Sequence, residues 1–77
     1  PHAVERAAER GATEAEIVAT VETGERVPAK HGRTGFRRNH PGPWTWRART
    51  FDTKQLLAYA APDGDDWLVI TVIVKFF

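Results

Sequence analysis

The chain contains no cysteine and no methionine. Without thiols there are no disulfides and no Cys-ligated zinc, two supports that small domains often add to a thin core. A chain of 77 residues buries only roughly 60% of the surface its unfolded form exposes. One domain, residues 1–77, with one apolar core is what this length allows. Long hydrophobic runs are missing too. A membrane helix needs roughly 20 apolar residues in a row, and the most apolar segment, Trp67 to Phe77, is short and β-branched. The polar, charged beginning lacks the apolar stretch of a signal peptide. A cytoplasmic protein without membrane contact is the expectation. Because the chain starts at Pro1, it is expected to be a piece of a longer polypeptide.

Carboxylates are scarce in one region. Between Arg26 and Lys54 lie Arg26, Lys30, Arg33, Arg37, Arg38, Arg47, Arg49 and Lys54, against Asp52 alone. The acidic residues collect in front (Glu5, Glu9, Glu14, Glu16, Glu22, Glu25) and near the end (Asp63, Asp65, Asp66). The net charge of +1 therefore hides a strong separation. A basic block of this kind is the electrostatic footprint of a polyanion site. The plain alternative is a solvated surface that pairs with its own acidic helices.

Local signals give an α+β order: two N-terminal helices, then a curled antiparallel sheet of about four strands. His2 to Arg10 carries good helix formers with Ala3, Val4, Ala7 and Ala8 as a small apolar side. Gly11 ends it, since a left-handed C′ residue costs glycine nothing. Thr13 and Glu16 have capping-box spacing, and a second helix runs to about Thr23, with Ile17, Val18 and Val21 inward and Gly24 as its stop. Val27-Pro28 suits an edge strand. His31 to Gly35 reads as a turn, Phe36 to Asn39 as a strand and Asn39 to Pro43 as a loop. Trp44 to Phe51 and Lys54 to Ala61 read as strands, Pro62 to Asp66 as a turn. Trp67 to Phe77, the most apolar, is expected to be central. Its alternation puts Leu68, Ile70, Val72, Val74 and Phe76 toward the helices. Arg37, Arg47, Arg49, Thr71 and Lys75 would then form a basic palm on the other face, a placement that a one-residue slip reverses.

Three patterns bear on chemistry. His2, Arg6 and Arg10 are spaced by four, which sets them on one helical face about 6 Å apart. Arginines clamp phosphate and a histidine carries protons; ordinary surface pairing with Glu9 and Glu14 is the alternative. Lys30-His31-Gly32-Arg33, followed by Phe36-Arg37-Arg38, is a glycine-containing basic turn whose N–H groups suit phosphate; an exposed hairpin loop reads the same way. Trp44-Thr45-Trp46-Arg47-Ala48-Arg49 interleaves rings and guanidinium groups as single-stranded RNA binders do, although so small a domain needs both tryptophans in its core. Asp63, Asp65 and Asp66 lack calcium-loop spacing, and His2, His31 and His40 lack zinc spacing. Neither a metal nor a cofactor is expected.

The opening His2-Ala3-Val4-Glu5-Arg6-Ala7-Ala8-Glu9-Arg10-Gly11, the capped second helix after it and the closing Ala60-Ala61-Pro62-Asp63-Gly64-Asp65-Asp66-Trp67-Leu68-Val69-Ile70-Thr71-Val72-Ile73-Val74-Lys75 together resemble domain-of-unknown-function family 4258. That family joins a His-x-x-x-Arg-x-x-x-Arg-Gly helix to a closing Val-Ile-Thr-Val strand. It is regarded as similar to RelE-like toxins of bacterial toxin–antitoxin systems and also occurs at the ends of larger secreted toxins. The resemblance implies a RelE-like fold and a metal-independent ribonuclease, or a toxin-derived module that binds RNA or protein without cutting. His2, Arg6 and Lys75 would be catalytic. Arg10, Lys30, Arg33, Arg37, Arg47, Arg49 and Thr71 would hold RNA phosphate. RNA and an acidic antitoxin or immunity protein would be the partners, in the cytoplasm or in a target cell after delivery. The chain departs from the family pattern at Ile73, where tyrosine is frequent, and at Leu56 and Leu57, where histidine is. Its segment from Asn39 to Thr53 is also longer and richer in tryptophan. Acid–base chemistry then falls on His2 or His31.

Overall fold

The two helices are short because their ends are written locally. The structure, a computed structural model, describes residues 2–77 and, of His2, the backbone alone. Helix α1 spans His2–Glu9 and α2 spans Glu14–Thr23. Gly11 turns the chain at φ 93°, and a Cβ there would stand 3.0 Å from the Phe76 ring and 3.1 Å from the Trp46 ring. The α1–α2 turn thus lies directly on two aromatic side chains, and only glycine meets both demands. The expected capping box is formed. The Thr13 N–H donates to Glu16 Oε1 at 2.8 Å, and Thr13 Oγ1 accepts from the Glu16 N–H at 3.2 Å. Such a cap stabilises a helix by about 1 kcal/mol.

Among the described residues four strands follow: β1 (Glu25–Pro28), β2 (Thr34–Trp46), β3 (Arg49–Asp63) and β4 (Asp66–Phe76). All pair antiparallel in chain order β1-β2-β3-β4. This corrects three expectations. The Asn39 to Pro43 breaker cluster is not a loop. It runs inside β2, and the ladder absorbs its prolines through a register shift between Pro41 and Trp44. Trp44 to Phe51 is not one strand either. The chain reverses at Arg47 and Ala48, both left-handed at φ 51° and 64°, and Trp46 pairs with Arg49. Two-residue hairpins favour that geometry, usually with Asn-Gly, so Arg-Ala gave no turn signal. Finally, β4 is an edge strand and not a central one. Short hairpin connections make a meander, in which the last strand takes an edge whatever its apolarity.

The helices cover one face. α1 lies against β4, and α2 against β3 and β2. Ala7, Ala12, Ile17, Leu56, Ala58 and Val72 are buried between them. Phe36, also buried, meets Trp67 edge-on with ring centroids 5.0 Å apart. Each large side chain buried in this way contributes about 1.5–3 kcal/mol. The parity expected for β4 holds for Val72, Val74 and Phe76, which neighbour Ala58, Leu56 and Lys54 of β3. It fails beyond Ile70. A bulge shifts the register there, pairing Ala60 with Val69 and Ala61 with Leu68. Val69 and Trp67 turn to the helices while Leu68 is left exposed. One extra residue flips every side chain after it.

Candidate nucleic-acid interface

The outer edge of β4 and the β1–β2 turn carry most of the expected phosphate-binding residues. At the end of α1, Arg10 donates from Nη1 to the backbone carbonyl of Val72 at 2.8 Å. Among the described residues no strand pairs with the outer edge of β4, so this guanidinium covers part of a bare strand edge and fixes α1 against it. Arg6 stands one turn back and is exposed. The two arginines, with Ile70, Thr71 and Val72, line a groove of about 110 Å³ between α1 and β4. Neither arginine is ion-paired with Glu9 or Glu14, in contrast to Arg37, which pairs with Glu25, and Lys54, which pairs with Glu16.

Thr71 also lines a second, larger cleft of about 390 Å³ with Lys30, His31, Arg33 and Tyr59. The β1–β2 turn shapes it. His31 and Gly32 are left-handed at φ 62° and 70°, and the Arg33 N–H closes the turn on the Lys30 carbonyl at 3.3 Å. Tyr59, on β3, stands across from Thr71 on β4 and across from Gly35 on β2. Glycine is required at position 35 by Val27, whose Cγ2 would stand 2.5 Å from an added Cβ, while the Tyr59 ring would lie at an ordinary contact distance of 3.4 Å. Neither cleft has a carboxylate in its lining. The two linings together therefore offer five basic or imidazole side chains, a threonine hydroxyl and a phenol, with no carboxylate among them. Such a surface holds phosphate oxygens through charge-assisted hydrogen bonds.

The remaining expected residues lie elsewhere. The side chain of His2 falls outside the described residues. Arg37 does lie on the open face, where it is paired with Glu25. Lys75 is on that face too, across from Gln55, with its ammonium 5.7 Å from the Phe77 ring centre. Arg47 and Arg49 are at the β2–β3 hairpin tip, each over its own aromatic ring, Trp46 and Phe51. Ten residue steps along β3 lead from Arg49 to Tyr59, about 33 Å of strand. The single basic palm expected from sequence is thus divided. Trp44 and Trp46 are half-buried on the helix side: Trp44 lies against Lys54, and Trp46 stacks on Phe76 at 5.6 Å.

Tyr59 was the residue that sequence reasoning passed over. It is the one tyrosine of the chain and shares parity with Gln55 and Leu57, a signal that it points away from the helices. Two other polar residues, His40 and Lys54, are buried on the helix side. Lys54 Nζ donates to the Gly11 carbonyl at 2.7 Å and to both oxygens of Glu16 at 3.0 Å, and lies 3.9 Å from the centre of the Trp44 ring. Burial works against ionisation of Glu16, but the Thr13 N–H and the Lys54 ammonium outweigh it and hold the carboxyl below its usual value. His40 Nε2 meets Thr20 Oγ1 at 3.2 Å, and that hydroxyl donates to the Glu16 carbonyl at 2.8 Å. Burial, then the charges of Arg38 and Lys54, push the imidazole below its ordinary value against the pull of Glu16. This network holds α2 to the sheet and takes no part in either cleft.

Among the described residues no three His, Asp or Glu side chains are grouped as a metal would require, and no helix is long and apolar enough to cross a membrane. Over residues 1–74 the chain matches the family described as Domain of unknown function (DUF4258), and it belongs to that family. No curated protein and no solved structure matches it.

Proposed function

We propose that this chain is an RNA-directed toxin-type domain that grips the sugar–phosphate backbone in the two clefts that meet at Thr71 and cleaves it without a metal. One observation carries the reading: two clefts sharing Thr71 gather Arg6, Arg10, Lys30, His31, Arg33 and Tyr59 with no carboxylate among them. RNA brings its own nucleophile. The 2′-oxygen loses its proton and bonds to phosphorus, the bond from phosphorus to the 5′-oxygen breaks, and that oxygen takes up a proton. Two proton transfers and stabilisation of the extra negative charge are what a protein must supply. Arg6 and Arg10 are suited to the charge, bidentate and always ionised. His31 is the histidine in the cleft lining and the group suited to move a proton. Tyr59 and Thr71 offer hydroxyls that orient the phosphate. An acidic antitoxin or immunity protein would neutralise the same clefts.

A second reading, an RNA-binding module without turnover, is favoured by the His31 ring. It is exposed, and no hydrogen bond of the described residues orients it. Purified protein incubated with single-stranded RNA in the presence of a chelator separates the two. Cleavage lost in Arg6→Ala and in His31→Ala supports the ribonuclease. Binding that weakens steeply with salt, with a slope of about −3 for some four phosphate contacts, and with intact RNA, supports the module. No binding at low salt overturns both. Controlled bacterial expression, scored for growth and RNA integrity together, tests the toxin itself.

A further inference from the structure

The arginine-bearing hairpin tip has no place in the two clefts, and neither does a groove at the opposite end of the molecule. That groove, about 440 Å³, lies between α2 and the β3–β4 turn. Ile17, Val18, Val21, Trp67 and Val69 make it apolar, and Glu22, Asp63 and Asp66 give it an acidic rim. Val18 keeps 46% of its surface exposed, though its helical spacing marks it for burial. Arg26 lies over the Phe36 and Trp67 rings and is not part of the groove lining, so the rim carboxylates have no cation within it.

We propose that the groove receives the β2–β3 hairpin tip of a second copy of this chain. The tip has the complementary chemistry. Arg47 and Arg49 are exposed beside the Trp46 and Phe51 rings, so it offers cations on an aromatic base to carboxylates around an apolar floor. Geometry favours a reciprocal contact. Strand β3 runs from Arg49 at the tip to Asp63 at the acidic turn. Its 15 residues, at about 3.3 Å each when fully extended, are long enough to run the 40 Å length of the molecule. Two copies laid side by side in opposite directions set each tip beside the other's groove. Both contacts form at once, and the assembly closes as a symmetric dimer. The clefts beside Thr71 take no part, so the dimer does not depend on the RNA-directed reading.

Sedimentation equilibrium tests this on the chain itself, with circular dichroism as the check on folding. The expected mass at about 1 mM, where even a weak specific contact is populated, is twice the 8.6 kDa of the single chain, and it falls as salt is raised. Arg47→Glu with Arg49→Glu, and separately Asp63→Lys with Asp66→Lys, should each weaken self-association about 100-fold, because like charges are then juxtaposed. Arg49→Glu alone serves if the tight turn at Arg47 does not tolerate the double change. An equimolar mixture of the two charge-reversed proteins should associate again, within about tenfold of wild type, since both contacts regain opposite charges. A mass of one chain throughout overturns the proposal. So does a dimer that neither reversal disturbs, or a mixture that stays monomeric.

Discussion

The molecule handles its cations in two opposite ways on the two sides of one sheet. On the helix side Lys54 is buried, with Glu16, the Gly11 carbonyl and the Trp44 ring around its ammonium. Away from that core, in the two clefts that share Thr71, Arg6 of α1 and Lys30 and Arg33 of the β1–β2 turn are exposed with no carboxylate in the lining. A buried ammonium exists only because its partners are fixed, so changing it must be felt by the fold. An exposed cation without a local anion adds little to the fold and remains available to a ligand. Position relative to the helices, and not residue type, decides which task each basic residue has.

The largest expected effect tests the buried half. Lys54→Met leaves the Glu16 carboxylate without its cation and should lower the unfolding free energy by about 3 kcal/mol. Urea denaturation reads this directly. Adding Glu16→Gln removes the stranded charge and should return more than half of the loss. A cost below about 1 kcal/mol, the range of exposed pairs, would erase the distinction between the two sides.

Acid should attack the same network in two steps. His40 has a folded-state value below its ordinary 6.5 and Glu16 one below 4.5. For both, the unfolded chain binds protons that the folded chain refuses, so stability falls as pH drops. The loss begins below about 6.5 through His40 and deepens below about 4.5 through Glu16. Denaturant midpoints measured from neutral pH to pH 4 should show this. His40→Asn should flatten the upper step and leave the lower. Equal slopes in the two proteins would remove His40 from the account.

The helical part of this comparison was legible in the sequence because its causes are local. Gly11, the Thr13–Glu16 spacing and Gly24 act within a few residues, and the helices end where they indicate. The sheet was less legible. Its strands were recognised by apolarity, but apolarity does not record strand order, and β4 looked central while lying at an edge. Lys54 read as the start of a strand, since nothing near it reveals that Glu16, 38 residues away, will meet its ammonium. His40 sat in a presumed loop and is buried against Thr20. For the candidate interface, Arg6 and Arg10 were visible by helical spacing. That they would share a groove with Thr71, and that Thr71 would also border the Lys30–Arg33 turn, required the strand pairing.

The smallest effects on stability test the exposed half, and two neighbouring arginines make the sharpest pair. Arg10 bonds the Val72 carbonyl across 62 positions of sequence, so Arg10→Ala should cost about 1 kcal/mol. Arg6 makes no such bond, and Arg6→Ala should stay within about 0.5 kcal/mol of wild type. Their order should invert when RNA is titrated. Arg10→Ala removes a group already partly engaged by the protein, whereas Arg6→Ala removes a cation with all its donors available. On the proposed function, Arg6→Ala weakens binding and lowers the steepness of the salt dependence by about 0.7, one phosphate contact on a single strand. Equal salt slopes in wild type and Arg6→Ala would mean that this arginine is ordinary solvated surface. The contrast between the two sides of the sheet would then concern stability alone.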